Sequence, residues 1–441
     1  MKIKQPSIYI TLASALFLST LFFISRRVFC DNNGDTLGYV VSVDEKVPED
    51  MHPHNHYEHL NVVVFDRKHK NRPSAIAVAG ENFHLFNEKG ALIRSSAWTF
   101  YPYINDAQNI RAAKFVKDGY RDTLVVRVSL CDPFLEIFDN FGMHIGTIPF
   151  FNNRDNGEHF IGDINDDGVD EIIMSGKAFY TKDAGMTWSV LWENPELLEA
   201  RVGDGDFKMQ KVINSDFVYD GKKGIISFYF FPKEKTQLVL QDSRGQIIFK
   251  KPLPSSGRSY ATSLDLEGSG TKNAILVIDE EDKKAIIFDK NGTMIDVFKL
   301  DSEIYKKDGR MSEANVGSIK TGKLIGSNNS ESIVIGGTNG IMAYDVKGQE
   351  LWRYPEHDDS DYPAPNLYIT DLNDDGTNEV VVSMGSKILV LSNQGQLLDR
   401  ITTNGRLSRD NMMDVADIDG DNYKEIIAVT SQGRLQVFKI K

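Results

Sequence analysis

The 441-residue sequence predicts an all-β fold built from a repeated unit. Three observations support this fold class. Short runs of β-branched and aromatic residues recur along the chain, as expected of buried strands. Acidic nine-residue segments precede three of these runs, and turns that contain glycine follow many of them. The same order of features returns about every 50 residues, which indicates repeats of one unit rather than unrelated domains.

The three acidic segments share one spacing of side-chain oxygens. They extend over residues 163–171, 371–379 and 417–425, and Asp, Asn or Glu occupies positions 1, 3, 5 and 9 of each. Calcium prefers several oxygen ligands, and a turn with this spacing directs alternate side chains and one carbonyl at a single point. We therefore predict about three Ca²⁺ sites. Their side-chain ligands are Asp163, Asn165, Asp167, Glu171, Asp371, Asn373, Asp375, Glu379, Asp417, Asp419, Asp421 and Glu425.

The same segments have two other interpretations. An EF-hand loop needs a bidentate Glu at position 12 and a helix on each side. Position 12 is Met174, Val382 and Ala428 in the three segments, and β-branched runs surround it, so we expect the segments to join strands. The remaining alternative is a set of acidic β-turns that bind no metal, because Asp, Asn and Gly are common turn residues.

Glycine turns and the length of the repeat predict a β-propeller. Six turns place a polar residue three positions before a glycine: 87–90, 139–142, 242–245, 289–292, 345–348 and 392–395. Four short strands in about 50 residues are typical of a propeller blade. We predict eight blades, with seven as the alternative. Since residues 411–441 have room for only three strands, we expect Leu37–Val43 to supply the fourth and close the ring as a clasp.

A fourth segment keeps part of the ligand pattern. Asp265 and Glu267 occupy positions 1 and 3, but Ser269 and Asn273 stand where carboxylates would bind calcium better. We expect at most weak metal binding here.

The three acidic segments, each followed by a hydrophobic strand and a glycine turn, resemble the FG-GAP or VCBS-type repeat. This calcium-loop propeller occurs at the N-terminus of integrin α chains and in many extracellular proteins. The resemblance covers about residues 60–441. It implies that position 7, which is Val169, Thr377 or Tyr423, supplies a backbone carbonyl ligand. The Phe-Gly and Gly-Ala-Pro signatures that name the repeat are mostly absent, so integrin-type ligand binding is not implied.

An apolar segment, residues 7–25, precedes the repeats. As a helix it would extend roughly 28 Å, about the thickness of a bilayer core. We predict that residues 1–30 form an uncleaved membrane anchor, with a cleaved signal segment and secretion as the alternative. Residues 31–59 would hold the clasp strand and a histidine-containing linker, and residues 60–441 the propeller. Weak calcium loops fill where calcium is millimolar, so we expect the propeller outside the cytoplasm.

The linker contains four of the nine histidines within His52–His59. Dense imidazoles bind zinc or copper, but a linker with a proline enforces no ligand geometry, and we expect no functional metal site. Two other motifs are expected to be structural. Thr181–Trp188 resembles the Asp-box hairpin of other propellers, and Trp352 is expected to be a packing residue.

Charge and motifs limit the function. The formal net charge of −13 argues against a nucleic-acid partner. No P-loop, Gly-x-Ser-x-Gly elbow or dinucleotide-binding loop is present. We predict a non-enzymatic, membrane-anchored binding or adhesion module with a protein or glycan ligand. The alternative is a polysaccharide lyase or glycosidase, which would need a central funnel lined with Arg, Lys, His and Tyr from several blades.

Overall fold

A computed structural model describes most of the chain. The described residues are 27–30, 36–42, 60–65, 74–80, 82–97, 107–117, 119–128, 134–149, 159–174, 176–199, 210–229, 235–253, 259–279, 282–301, 317–324, 330–356, 366–407 and 411–439. The predicted apolar segment 7–25 and the cluster His52–His59 lie outside them. In the described ranges, no helix has the length and apolar character needed to cross a bilayer.

The strands form eight antiparallel sheets, which are the blades of a β-propeller. Blade 1 contains Asn61–Phe65, Ala75–Ala79, Asn82–Asn87 and Leu92–Ala97. Blade 2 contains Ala107–Ala113, Thr123–Val128, Phe134–Phe138 and His144–Pro149. Blade 3 contains Phe160–Gly162, Glu171–Met174, Lys177–Tyr180 and Ser189–Glu193, followed by the short helix Pro195–Glu199. Blade 4 contains Gln210–Tyr219, Lys222–Tyr229, Gln237–Asp242 and Ile247–Pro252.

The second half of the ring repeats this arrangement. Blade 5 contains Ser259–Leu264, Ala274–Asp279, Lys284–Asp289 and Met294–Lys299. Blade 6 contains Ser318–Gly322, Ser332–Gly337, Gly340–Tyr344 and Glu350–Pro355. Blade 7 contains Leu367–Thr370, Glu379–Met384, Lys387–Leu391 and Leu397–Thr402. Blade 8 contains Met413–Ala416, Glu425–Thr430, Arg434–Lys439, Thr36–Ser42 and Arg27–Cys30. The prediction of eight blades is confirmed.

Burial depends on the place of a strand within its blade. The second strands Ala274–Asp279 and Glu379–Met384 are buried along their whole length, as their β-branched sequences predict. The fourth strand Met294–Lys299 is almost fully exposed, because it lies at the outer edge of its sheet. The core therefore lies between blades, where the inner three strands of neighbouring sheets meet.

The N-terminus closes the ring. Thr36–Ser42 pairs antiparallel with Arg434–Lys439, with Gly38 opposite Phe438. This pairing confirms the predicted clasp strand, because Thr36–Ser42 is the fourth strand of blade 8. Arg27–Cys30 adds a fifth strand outside the clasp, which the sequence analysis did not predict. Blade 8 and blade 1 then meet through a hydrophobic cluster that includes Ile76 and Ile427.

Chain direction places the acidic segments together. Because consecutive strands of a blade are antiparallel, the loops between first and second strands and the turns between third and fourth strands emerge on one face. The three acidic segments are loops of the first kind, in blades 3, 7 and 8. The predicted glycine turns are of the second kind, and Gly395 at the end of one of them has a φ of 76°. We call this side of the ring the acidic face.

Candidate metal centres

The acidic segments join strands in all three blades, as predicted, and they adopt one turn. The first residue closes it by accepting backbone N–H groups. Asp163 accepts from Asp167 and Gly168 at 3.2 and 3.0 Å. Asp371 accepts from positions 5 and 6 of its loop at 3.2 and 2.7 Å. Asp417 accepts from positions 4 and 6 at 2.6 and 3.0 Å. The shared pattern follows from an aspartate whose two oxygens face a reversing backbone.

The turn needs a left-handed residue at position 6. Gly168 and Gly376 have φ values of 88° and 83°. Asn422 fills the same place in blade 8 with a φ of 72°, and Asn is among the residues that tolerate this region best. Position 6 therefore has the same left-handed conformation in all three loops.

A buried glutamate ends each loop. Glu171, Glu379 and Glu425 accept the N–H of position 2 through Oε2, at 3.0, 2.9 and 3.0 Å. Burial, together with the nearby carboxylates of Asp167 and Asp163, raises the pKa of Glu171 to about 8. Burial also raises the pKa values of Glu379 and Glu425. Each glutamate thus ionises at an electrostatic cost that a nearby cation would offset.

Position 3 brings an amide into the acidic cluster of blade 3. Nδ2 of Asn165 donates to Asp167 Oδ2 at 3.1 Å and to Glu171 Oε1 at 2.9 Å. The amide nitrogen thus contacts two predicted ligand carboxylates, and a 180° rotation of the amide would bring Oδ1 to its place. In blade 7, Asn373 donates to Asp375 Oδ2 at 3.1 Å, so the contact with position 5 is repeated. The donor set of both loops therefore fits a hard cation.

Position 7 holds the loop to position 5. The N–H groups of Val169, Thr377 and Tyr423 donate to Oδ1 of the position-5 aspartates at 2.8, 2.8 and 3.0 Å. These bonds leave the carbonyl of each residue as the backbone ligand that the family resemblance implies. The role of that carbonyl stays a prediction.

The loops differ in the lysines beside them. In blade 3, Lys223 Nζ lies 2.9 Å from Asp166 Oδ1 and 3.8 Å from Asp163 Oδ2. In blade 8, Lys439 Nζ contacts three side chains at once, Asp421 at 2.5 Å, Asp419 at 3.0 Å and Glu425 at 3.2 Å. Within the described part of the chain, the ligand carboxylates of blade 7 form no ion pair with Lys or Arg.

Three carboxylates of the blade 8 loop lie close together. One oxygen each of Asp417, Asp419 and Glu425 lies within 4.8 Å of the other two. Burial lowers the pKa of Lys439, but its hydrogen bonds to Asp421 and Asp419 and its ion pair with Glu425 outweigh burial and raise this pKa above its usual value. The hydrogen bond from Lys439 also lowers the pKa of Asp421. A positive charge is thus already stabilised among these oxygens.

The fourth segment has the same turn with weaker ligands. Asp265 accepts the N–H groups of Glu267 and Ser269 at 3.2 and 3.1 Å and of Gly270 at 2.6 Å. Asn273 replaces the buried glutamate, and its Oδ1 accepts the N–H of position 2 at 3.1 Å. This loop therefore keeps the hydrogen bonds of the turn but lacks the position-9 carboxylate of the other three. Weak metal binding at this loop stays a prediction.

A cavity of about 390 Å³ lies along the first strands of blades 1, 2, 3, 7 and 8. Consecutive first strands contact each other, so they surround the axis of the ring. Arg111, Arg121, Tyr368 and Asp414 are among the lining residues. Burial raises the pKa of Asp414, which accepts the N–H of Val64 at 2.7 Å. The sequence does not predict this group of residues, because only the closed ring brings them together.

The Asp-box segment forms a self-contained turn. Asp183 accepts the N–H of Thr187 at 2.7 Å, and Thr181 accepts the N–H of Gly185 at 3.0 Å. Nε1 of Trp188 donates to the carbonyl of Gly185 at 3.0 Å. The polar groups of the motif therefore bond within the hairpin, as its structural interpretation expects.

Comparisons with known proteins identify the fold. No family model matches the chain, and no curated protein matches it. Sqt1 of Saccharomyces cerevisiae is similar in structure, with a TM-score of 0.59, 11% identity, and coverage of 86% of this chain and 99% of that chain. The C-terminal WD40 domain of Sif2 has a TM-score of 0.52 at 13% identity, with coverage of 86% and 96%. The Dos1 propeller has a TM-score of 0.51 at 12% identity, with coverage of 83% and 88%. At such low identities these similarities establish the propeller fold alone.

Proposed function

We propose that this chain is an extracytoplasmic, membrane-anchored propeller that binds about three Ca²⁺ ions and serves as a binding or adhesion module for a protein or glycan. One observation carries the calcium proposal. The same turn is built in blades 3, 7 and 8, with the first aspartate and the last glutamate in equivalent hydrogen bonds each time.

Electrostatics supports a cation in these turns. Each loop gathers at least three carboxylates within nine residues, and the last of them is buried. Oxygen ligands in this number offset the charge of Ca²⁺. An ion that binds only the folded loop stabilises the native state by mass action. The metal would thereby fix three loops of the acidic face.

Two features of the sequence support the proposed anchoring and location. Residues 7–25 are apolar and long enough to cross a bilayer as a helix. Calcium loops without the twelfth-position glutamate of an EF-hand fill most readily in millimolar calcium, outside the cytosol. The partner would bind loops on a face of the ring, since loops on a rigid scaffold commonly carry recognition.

Calcium removal tests the proposal. The unfolding temperature of the full-length chain is measured by circular dichroism in millimolar calcium and after chelation with EGTA. We expect chelation to lower the unfolding temperature, and a variant with Asp163→Asn, Asp371→Asn and Asp417→Asn to lose most of this shift. An unfolding temperature that chelation leaves unchanged would refute calcium binding.

One observation favours a second function. The central cavity is lined by Arg111, Arg121 and Tyr368 from blades 2 and 7, which resembles the lining that a polysaccharide-degrading enzyme would need. A screen of uronate-containing polysaccharides for soluble products tests this alternative. Turnover by the wild-type chain that Arg111→Gln abolishes would favour an enzyme over a binding module.

A further inference from the structure

Lys439, in the third strand of blade 8, contacts the acidic loop of the same blade. Its Nζ lies 3.0 Å from Asp419 Oδ2, 2.5 Å from Asp421 Oδ2 and 3.2 Å from Glu425 Oε1. These three side chains hold positions 3, 5 and 9 of the predicted ligand set. The Lys439 side chain is one third exposed, whereas that of Glu425 is only 4% exposed. The ammonium therefore reaches from the edge of the loop to its buried ligand.

Strand register explains why the lysine reaches this place. Glu425 is opposite Lys439 in the antiparallel pair of second and third strands. In blade 7, Val380 pairs with Leu391, so Ser392 is the residue in register with Glu379. In blade 3, Ile172 pairs with Phe179, so Tyr180 is the residue in register with Glu171. Only blade 8 of these three has a cationic side chain opposite its position-9 glutamate.

Lysine and calcium would compete for the same oxygens. Both are satisfied by carboxylates, but an ammonium donates three hydrogen bonds whereas Ca²⁺ requires six to eight ligands. Asp417, Asp419 and Glu425 lie close enough to share one ion, and Lys439 already contacts two of them. A calcium ion would have to displace the ammonium before it could bind those two carboxylates.

We propose that Lys439 occupies the acidic loop of blade 8 in the calcium-free protein and lowers the calcium affinity of that loop below the affinity of blade 7. This inference rests on the proposed calcium binding. Blade 7 provides the comparison, because its ligand carboxylates have no Lys or Arg partner among the described residues. In blade 8, by contrast, one lysine contacts three of the predicted ligand side chains.

Tyr423 gives a site-specific measurement. It is position 7 of the blade 8 loop, whereas blades 3 and 7 have Val169 and Thr377 there. Terbium replaces calcium at oxygen sites, and a tyrosine in contact with the site sensitises its luminescence. Emission that Tyr423→Leu removes therefore reports blade 8. The full-length chain is titrated with Tb³⁺, and total calcium uptake is measured separately by equilibrium dialysis.

Lys439→Met is the test variant, and Lys424→Met is its matched control. Lys424 belongs to the same loop, but its ammonium contacts Thr370 of blade 7 instead of the carboxylates. Removal of a partly exposed ion pair has a modest effect, so we expect Lys439→Met to bind Tb³⁺ at blade 8 about five- to ten-fold more tightly than Lys424→Met. Lys439→Arg, which keeps the charge, should retain weak binding.

Each outcome decides the matter. Equal half-saturation of the Tyr423 signal in Lys439→Met and Lys424→Met would overturn the role of Lys439, while calcium uptake by the wild type would leave the proposed function standing. No uptake of either ion by any variant would refute the proposed function and this inference together. Circular dichroism shows whether each variant is folded.

Discussion

The indole of Trp352 packs on Gly395, although the two residues belong to consecutive blades. A Cβ added to Gly395 would lie 2.6 Å from Cδ2 of Trp352, and Nε1 of Trp352 donates to the carbonyl of Asn393 at 3.0 Å. Trp192 and Gly245 form the same pair between blades 3 and 4. In both pairs, an aromatic side chain of one blade packs against a turn glycine of the next blade. The expected packing role of Trp352 is confirmed.

We predict that Gly395→Ala destabilises the protein by about 2–3 kcal/mol, because the methyl group would clash with Trp352 and because φ is 76° at this glycine. Gly221→Ala is the matched control. Gly221 also has a positive φ, but an added Cβ would meet nothing within 4 Å. Urea unfolding measures both variants. Equal losses would show that Trp352 accommodates the added methyl group and would contradict the predicted clash.

Ligand and non-ligand aspartates can be separated within one loop. Asp375 is a predicted ligand, while the adjacent Asp374 is exposed and has a φ of 57° that asparagine tolerates well. We expect Asp375→Asn to reduce calcium-dependent stabilisation by on the order of 1 kcal/mol and Asp374→Asn to leave it nearly unchanged. Thermal unfolding with calcium and with EGTA measures the difference. A larger effect of Asp374→Asn would contradict the assigned ligand positions.

The sequence predicted what local chemistry determines. The spacing of Asp163, Asp167 and Glu171 sets the turn by itself, because its hydrogen bonds are formed within the loop. Strand number and closure followed from the repeat length and from a final unit that was short of one strand. The contact between Lys439 and Asp421 could not be predicted in this way, because it depends on the register of two strands.

The lining of the central cavity and the fifth strand of blade 8 also could not be predicted from the sequence. Arg111 and Tyr368 are far apart in sequence and meet only after eight blades close around an axis. Arg27–Cys30 has no period or turn that distinguishes it from the end of the apolar segment before it. Its place is set by the unpaired edge that the clasp strand offers.

Closure of the ring gives a third prediction. The clasp strand pairs with one strand on each side, and Tyr39 lies opposite Val437. A proline at position 39 would remove a backbone N–H donor from this strand. We expect Tyr39→Pro to cost about 3 kcal/mol. Val28→Pro is the control, because Val28 lies in the outermost strand, where proline is better tolerated. Urea unfolding measures both variants. A larger loss of unfolding free energy in Val28→Pro than in Tyr39→Pro would contradict the role of the clasp strand in closing the ring.

Asp414 gives a pH dependence. Burial raises its pKa in the folded protein above the usual 3.8, so its stabilising contribution is complete below pH 3.8 and is lost as pH rises through the folded-state pKa. We expect Asp414→Asn to be increasingly more stable than wild type as pH rises from 4 to 7.

The control for this pH series is Asp296→Asn. Asp296 is exposed and accepts the N–H of the next residue, Val297, as Asp414 does from Val415. Its substitution controls for the loss of an aspartate that forms the same type of hydrogen bond. Urea unfolding in EGTA across the pH series measures both variants. A stability difference for Asp414→Asn that is constant with pH would contradict the raised pKa.

The central claim is tested most directly by anomalous diffraction from crystals grown in millimolar calcium. The account predicts an ion in the blade 3 and blade 7 loops, about 2.3–2.6 Å from carboxylate oxygens that include those of Glu171 and Glu379, and a weaker peak beside Lys439. Loops that hold no ion in these crystals would contradict it.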